Sequence, residues 1–461
     1  MAHHRPGCSG LTRRTFLAGA SAVAATGLTA RRSMPAASSF GGRAVEVARP
    51  ENSMPGRFPG RVIEIRHPGC VGADHAIAAQ PVQQMMRRGM CELTGAEHWT
   101  EAWGRFFERD DVVGIKVNPV GRKRQGLPNA VGSISSPEVL IEVVAGLRSA
   151  GVPARNIIVF ERYAEEFRDA GYEAVLRSRP LDGVRWYASA EAYDNHQLDI
   201  EGYSRRRRRD RDPHVVGYDP DVFVHMGYAA PGTSSKDDRR FRSHLSLIVS
   251  RMISKMITLP VLKDHRSAGV TLALKNLSHG LNNNVARSHI SNIYRRDKVE
   301  SNPNQCNTFI PAAVAQEPIR KKATLHIMDG LIGVYEGGPG CWNPTWGTWQ
   351  RKSLFFATDP VALDHVGWDI IDAERVRRGW QPVAQMGRAQ LPAMMLSARL
   401  AALAGTLPMG NAALAVAGHL GRSQHTEQFD RRQPEHIYLA STMNLGTFDA
   451  RHIEHRQVEL S

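Results

Sequence analysis

Cysteine is scarce in this sequence, with five in 461 residues. Cys8, Cys70, Cys91, Cys306 and Cys341 show no C-x-x-C spacing. That argues against an iron–sulfur cluster or zinc ribbon built from neighbouring ligands. H-E-x-x-H is absent, and with it the usual tight zinc-hydrolase motif. G-x-S-x-G is absent too, which disfavours a serine hydrolase. Long apolar runs are also missing. The most apolar stretch, residues 393–420, is interrupted by Arg399, Pro408 and Gly410. It is expected to be a C-terminal helical cover packed on the fold, and no stable membrane span is expected in the mature chain.

Acids are missing from the first 44 residues, which carry Arg5, Arg13, Arg14, Arg31, Arg32 and Arg43. In "LTRRTFLAGASAVAATGLTA", twin arginines precede a weakly hydrophobic Ala/Gly/Thr stretch. This resembles a twin-arginine export signal. The expected partner is the export machinery, and the expected location is periplasmic or extracellular. Removing those six bases from 59 leaves 53 against 45 acids, so +14 falls to +8. Spread over so long a chain, that charge does not imply nucleic acid. The Arg205–Arg209 run lies in a basic insertion near residues 203–214 and lacks the interleaved aromatics of a nucleic-acid arm. A linker is expected over residues 45–60, and one domain from 61 to 461.

The apolar pattern of that domain points to an α/β fold. "RVIEIR", "VVGIKVN", "NIIVFE", "DVFVHM", "KMITLPVL", "ATLHIMDG" and "SLFFATDP" are short, β-rich runs. "SPEVLIEVVAGLRSAG" between two of them has helical periodicity and a Ser-Pro start. Strand, helix, Gly turn and strand make a parallel crossover unit. A mostly parallel sheet covered by helices on both faces follows.

Chemistry concentrates where those strands end. "VLKDHRSAGVTLALKNLSHGLNNN" (261–284) places Lys263 and His265 at the end of an apolar run. A helix expected to start near Ser267 would carry Thr271, Lys275, Asn276 and His279. Its first amides would favour an anion, and Lys263 and Lys275 would add charge for phosphate or carboxylate. In "GIKVNPVG", Lys116 and Asn118 alternate with Ile115 and Val117, and a lysine in a buried strand needs a partner or a ligand. Asp329-Gly330 and Asp359 fall at further strand ends, with Asp364 one turn into the next helix. Asp359 also suits a helix N-cap before Pro360. His75, His196, His225, His244 and His289 are expected to be structural or at the surface.

Taken together, "IKVN", "LPVLKDHRSAGVTLALKN", "MDGLIGVYEGGPG", "DPVALD" and the late "NLGTFDARHIE" resemble the domain of unknown function 362 family. The resemblance implies a fold and no settled activity. Some members carry ferredoxin-like cysteine motifs, which this chain lacks. It nominates Lys116, Asn118, Lys263, His265, Thr271, Lys275, Asn276, Asp329, Asp359 and Asp364.

The expected function is binding or conversion of a small anion. Lys116, Lys263 and Lys275, with Asn118, Thr271, Asn276, Asp329 and Gly330, would form the binding cleft. His265, Lys275, Asp359 and Asp364 would do the chemistry, and His265 with the aspartates could hold a divalent metal. A non-catalytic periplasmic binding or scaffold protein is one alternative. A redox accessory protein loaded with metal before export is another.

Overall fold

The structure is a computed structural model. It describes residues 51–122, 131–193, 200–203, 211–226, 234–265, 267–289, 306–340, 347–385 and 434–461. All fall in the second of two compact units, Arg49–Ser461. The export signal, Arg205–Arg209 and the 393–420 helical cover lie outside the described residues.

The strands in chain order are β1 (Arg61–Arg66), β2 (Val113–Lys116), β3 (Ile157–Tyr163), β4 (Arg185–Ala190), β5 (Tyr218–His225), β6 (Arg242–Ser246), β7 (Lys255–Thr258), β8 (Val261–His265), β9 (Gly269–Val270), β10 (Ala323–Glu336), β11 (Gly347–Trp349), β12 (Ser353–Ala357) and β13 (Glu454–Glu459). The described helices are α1 (Ala79–Thr94), α2 (Trp99–Gly104), α3 (Pro137–Ser149), α4 (Ala164–Asp169), α5 (Tyr172–Leu176), α6 (Leu272–Ser278), α7 (Cys306–Val314), α8 (Glu317–Lys322), α9 (Pro360–Arg377) and α10 (Glu435–Thr442).

The main sheet runs β13-β1-β12-β10-β7-β2-β3-β4, with β8 and β11 attached beside β10 and β9 paired to β8. It is mixed and mostly parallel, as an α/β fold requires. Among the strands of the main run the departure is β12, which is antiparallel to both neighbours; the attached β11 and β9 are also antiparallel to their partners. "DVFVHM" also departs from expectation. It belongs to β5, which pairs with β6 in a separate two-stranded antiparallel sheet. Its exposed alternate residues show why: one face meets solvent, so it cannot be a central strand.

Alternation along the strands feeds two cores. Ile63, Ile65, Val113, Ile115, Ile157 and Val159 pack with α1 and α3 on one face. Val62, Ile158, Phe160 and Phe355 pack with α6, α7 and α9 on the other. Helices thus cover both faces. Residues 51–60, expected as linker, are anchored: Met54 is buried and Phe58 packs on Phe106.

Two expected boundaries move. "KMITLPVL" is two strands, because Pro260 interrupts pairing and its carbonyl accepts the Asp329 amide at 2.8 Å. "IMDGLIGVYE" is the last ten residues of the 14-residue strand β10. Asp329-Gly330 therefore sits mid-strand, not at a strand end. A Cβ on Gly330 would come within 3.0 Å of the Ser353 carbonyl oxygen and closer still to the Phe355 ring. This glycine serves sheet packing.

Candidate functional site

β2 and β3 run parallel, with Lys116 opposite Phe160. Lys116 therefore leaves the end of β2 on the face opposite Ile115. Its ammonium pairs with the Glu161 carboxylate and donates to Asn276 Oδ1 at 3.1 Å and the Val117 carbonyl at 2.7 Å. Burial pushes its pKa down, and Glu161 opposes that. The buried lysine thus has a protein partner, and it still borders the cavity described below. Gly280 makes room for it: a Cβ there would stand 2.9 Å from Lys116 Nζ and 2.3 Å from the Asn276 carbonyl. On β8, Lys263 donates to Asn118 Oδ1 at 3.0 Å and to the Val120 carbonyl. Burial lowers its pKa to about 7.

The helix after β8 starts later than its periodicity suggests. Gly269–Val270 form β9, paired back on β8, and α6 starts at Leu272. Leu272 itself is left-handed, at φ 43°, a costly state for a γ-branched residue. The Asp364 carboxylate sits against this corner and accepts the Ala273 and Leu274 amides at 2.7 and 2.9 Å. Asp364 is therefore the anchor that aims α6. It also fills the helix N-terminus, so the expected anion position there is already taken. Burial raises its pKa well above the usual carboxylate range.

Despite that later start, Ser267, Thr271, Lys275 and His279 come together. They line a cavity of about 530 Å³ with Lys116, Asn118, Asn276, His265 and His289. Glu161, Arg162, Glu166, Tyr163 and Tyr193 form the opposite wall. The cavity lies at the carboxyl ends of β2, β3 and β8, where open α/β sheets bind ligands. Its volume falls within the roughly 300–1,000 Å³ of small-molecule sites.

Three side chains define its polarity. Lys275 is 5% exposed, and its ammonium donates to His289 Nε2 at 3.3 Å. Among the described residues no carboxylate forms an ion pair with it. Burial lowers its pKa to about 8. Asn276 gives Oδ1 to Lys116, while its buried Nδ2 has no partner among the described residues. His265 Nδ1 accepts the Ser267 and Ala268 amides at 2.9 and 3.1 Å. In the neutral ring the hydrogen is then on Nε2, making that atom a donor. Nearby, burial and then Lys275 push the His279 pKa well below its usual value.

Lys263, Asp329, Gly330, Asp359 and Asp364, nominated for the site, do not line this cavity, and the Lys263 ammonium expected to hold the anion is taken up by Asn118 and the Val120 carbonyl. Asp359 caps α9 through the Val361 and Ala362 amides at 3.0 and 2.9 Å, and also accepts those of Gly60 and Thr447. Asp329 accepts the Ser136 amide at the start of α3 and the Leu331 amide. Each carboxylate serves buried backbone donors, which are costly to leave unpaired. Neither Asp359 nor Asp364 is therefore placed to share a metal with His265. Sequence reasoning missed Glu161, Arg162 and Glu166, although "FERYAEE" follows an apolar strand much as "LKDH" does. It set His289 aside, yet that ring lines the cavity.

A larger hollow of about 820 Å³ is bordered by Arg88, Glu92, Trp99 and Arg456. Its Glu92 is held by Arg88 and Arg456 in surface ion pairs. It contains none of the residues nominated above, so the chemistry points to the smaller cavity.

Residues 242–369 match the family described as Domain of unknown function (DUF362). That span carries His265, Thr271, Lys275, Asn276 and His279, and the resemblance read from the motifs holds there. No curated protein matches the chain.

Proposed function

We propose that this protein binds and converts a small organic anion, bearing a carboxylate or phosphate, in the cavity between β2, β3, β8 and α6. The observation that carries the reading is Lys275, a buried ammonium with no carboxylate partner among the described residues. A buried cation is costly unless an anion compensates it. Asn276 Nδ2 and His265 Nε2 supply donors around it, and the exposed Tyr193 ring lines the cavity beside them for an organic body. Lowered to about 8, the Lys275 amine can exchange a proton near neutral pH, which favours conversion over binding alone.

Calorimetric titration with inorganic phosphate and a panel of small carboxylates and phosphate esters tests the reading. Lys275→Ala and His265→Ala should each weaken the best binder at least tenfold while circular dichroism stays unchanged. Unchanged affinity in both variants would overturn it. Turnover of that binder separates an enzyme from a carrier.

Export through the twin-arginine route belongs to the same proposal and is supported by Arg13-Arg14 and the weakly apolar stretch behind them. Replacing both arginines with lysine should hold the chain in the cytoplasm. Equal export of the variant would refute this part.

A further inference from the structure

Two cavity-lining histidines and a buried cysteine close to them make a set that the anion reading does not use. His279, His289 and Cys306 each offer a ligand atom, and these atoms lie within 4.8 Å of one another. His279 comes from the end of α6, His289 from the turn beyond it, and Cys306 from the first residue of α7. The His279 Nε2 to Cys306 Sγ distance is 3.8 Å. In a tetrahedral zinc site, bonds of about 2.0–2.3 Å place neighbouring ligand atoms roughly 3.3–3.6 Å apart. Closing the triangle asks each side chain to move by about 1 Å or less.

Hydrogen bonding turns the His289 donor atom the right way, while His279 has to give up a partner. His289 Nδ1 lies 3.2 Å from the Val285 carbonyl. A carbonyl only accepts, so Nδ1 carries the hydrogen and the lone pair is on Nε2. The Ser278 hydroxyl, which lies 3.2 Å from the Lys275 carbonyl, is 3.1 Å from His279 Nδ1 and is able to accept a hydrogen from it. His279 Nε2 already meets the Ser288 hydroxyl at 2.7 Å, and that hydroxyl donates to the Val285 carbonyl; metal binding therefore puts the ring hydrogen on Nδ1 and displaces Ser288 from Nε2. Outer hydrogen bonds of this kind fix the tautomer of metal-binding histidines. Cys306 forms no disulfide among the described residues.

We propose that His279, His289 and Cys306 bind one thiophilic divalent cation of the zinc class, leaving its fourth position towards the cavity. Two imidazoles and a thiolate match the borderline-soft preference of zinc, and three protein ligands with one open position are the pattern of catalytic zinc sites. Binding breaks the Cys306 S–H bond, forms a metal–sulfur bond and releases one proton to solvent. Lys275 is the built-in competitor, because its ammonium faces the His289 Nε2 lone pair. The metal displaces that ammonium, whose flexible stem can swing into the cavity.

The site rests on these distances and not on the anion reading, so it is tested without any anion ligand. Metal-stripped full-length protein is titrated with Zn²⁺ against a chromophoric chelator, and separately with Co²⁺. One ion per chain is expected, with a cobalt–thiolate charge-transfer band. Cys306→Ser should remove the band and weaken zinc at least tenfold. His289→Gln should weaken it similarly, and keeps the test decisive if the Cys306 variant fails to fold, because His289 is only half-buried. Lys275→Met should strengthen zinc binding by removing the competing cation, which an adventitious surface site would not do. Sub-stoichiometric binding, or wild-type affinity in both ligand variants, would overturn the proposal.

Discussion

Lys275→Met is the most informative single change, because it should have opposite pH signatures on stability and on ligand binding. The ammonium is buried and has a pKa of about 8, against 10.5 for a free lysine. One pKa unit is worth 1.36 kcal/mol, so holding the charge in place costs about 3 kcal/mol. The sign follows from linkage. The folded-state pKa is the lower one, so between pH 8 and 10.5 the unfolded chain binds more protons, and this lysine's contribution to stability rises with pH. Below pH 8 both states are protonated and the cost is paid in full. Lys275→Met should therefore be more stable than wild type by up to about 3 kcal/mol at pH 7, with the advantage fading towards pH 10. Anion binding should run the other way. An anion selects the ammonium, so wild-type affinity is flat below pH 8 and falls up to tenfold per unit above it.

The neighbouring charges are Arg162, which faces Lys275 from β3, and Cys306 on α7; His279, His289 and His436 lie close by. Cys70, whose pKa burial raises, titrates with opposite sign and cancels in the difference between the two proteins; Cys306, whose thiolate Lys275 favours, is raised further in Lys275→Met, so the difference is compared in a Cys306→Ser background as well. Urea unfolding at pH 7, 8, 9 and 10 measures the stability difference. A pH-independent difference would refute the reasoning, and so would a variant less stable than wild type throughout.

Two other changes separate the scaffold from the cavity. Asp364→Ala leaves the Ala273 and Leu274 amides and the left-handed Leu272 without their anchor; it should cost about 2–3 kcal/mol in urea unfolding and also weaken ligand binding, because α6 carries Lys275 and Asn276. Lys116→Met strands the buried Glu161 carboxylate and should cost about 3–5 kcal/mol. The double variant Lys116→Met/Glu161→Gln should recover much of that loss, and a strictly additive double variant would refute the pair.

The class of the fold was legible in sequence because each strand is a short apolar run bounded by turn residues. The placement of Lys116 was legible too, since strict alternation puts it opposite Ile115. The four-residue step through Ser267, Thr271, Lys275 and His279 named residues that do share one wall, although the first helical residue is Leu272. Asp359 announced itself as an N-cap before Pro360.

Residues distant in sequence were decided only by the tertiary structure. Asp364 looks like a surface acid on a helix, and becomes a buried anchor only because α9 packs on α6. Arg375 and Glu336, a fully buried ion pair, carry no local signal. Neither does the approach of Cys306 to His279, whose partners come from separate segments. Local sequence encodes which face of a strand or helix is apolar, since that depends on period alone. Which carboxylate meets which amide, and which lysine is left facing a cavity, depends on how the two cores close against one sheet.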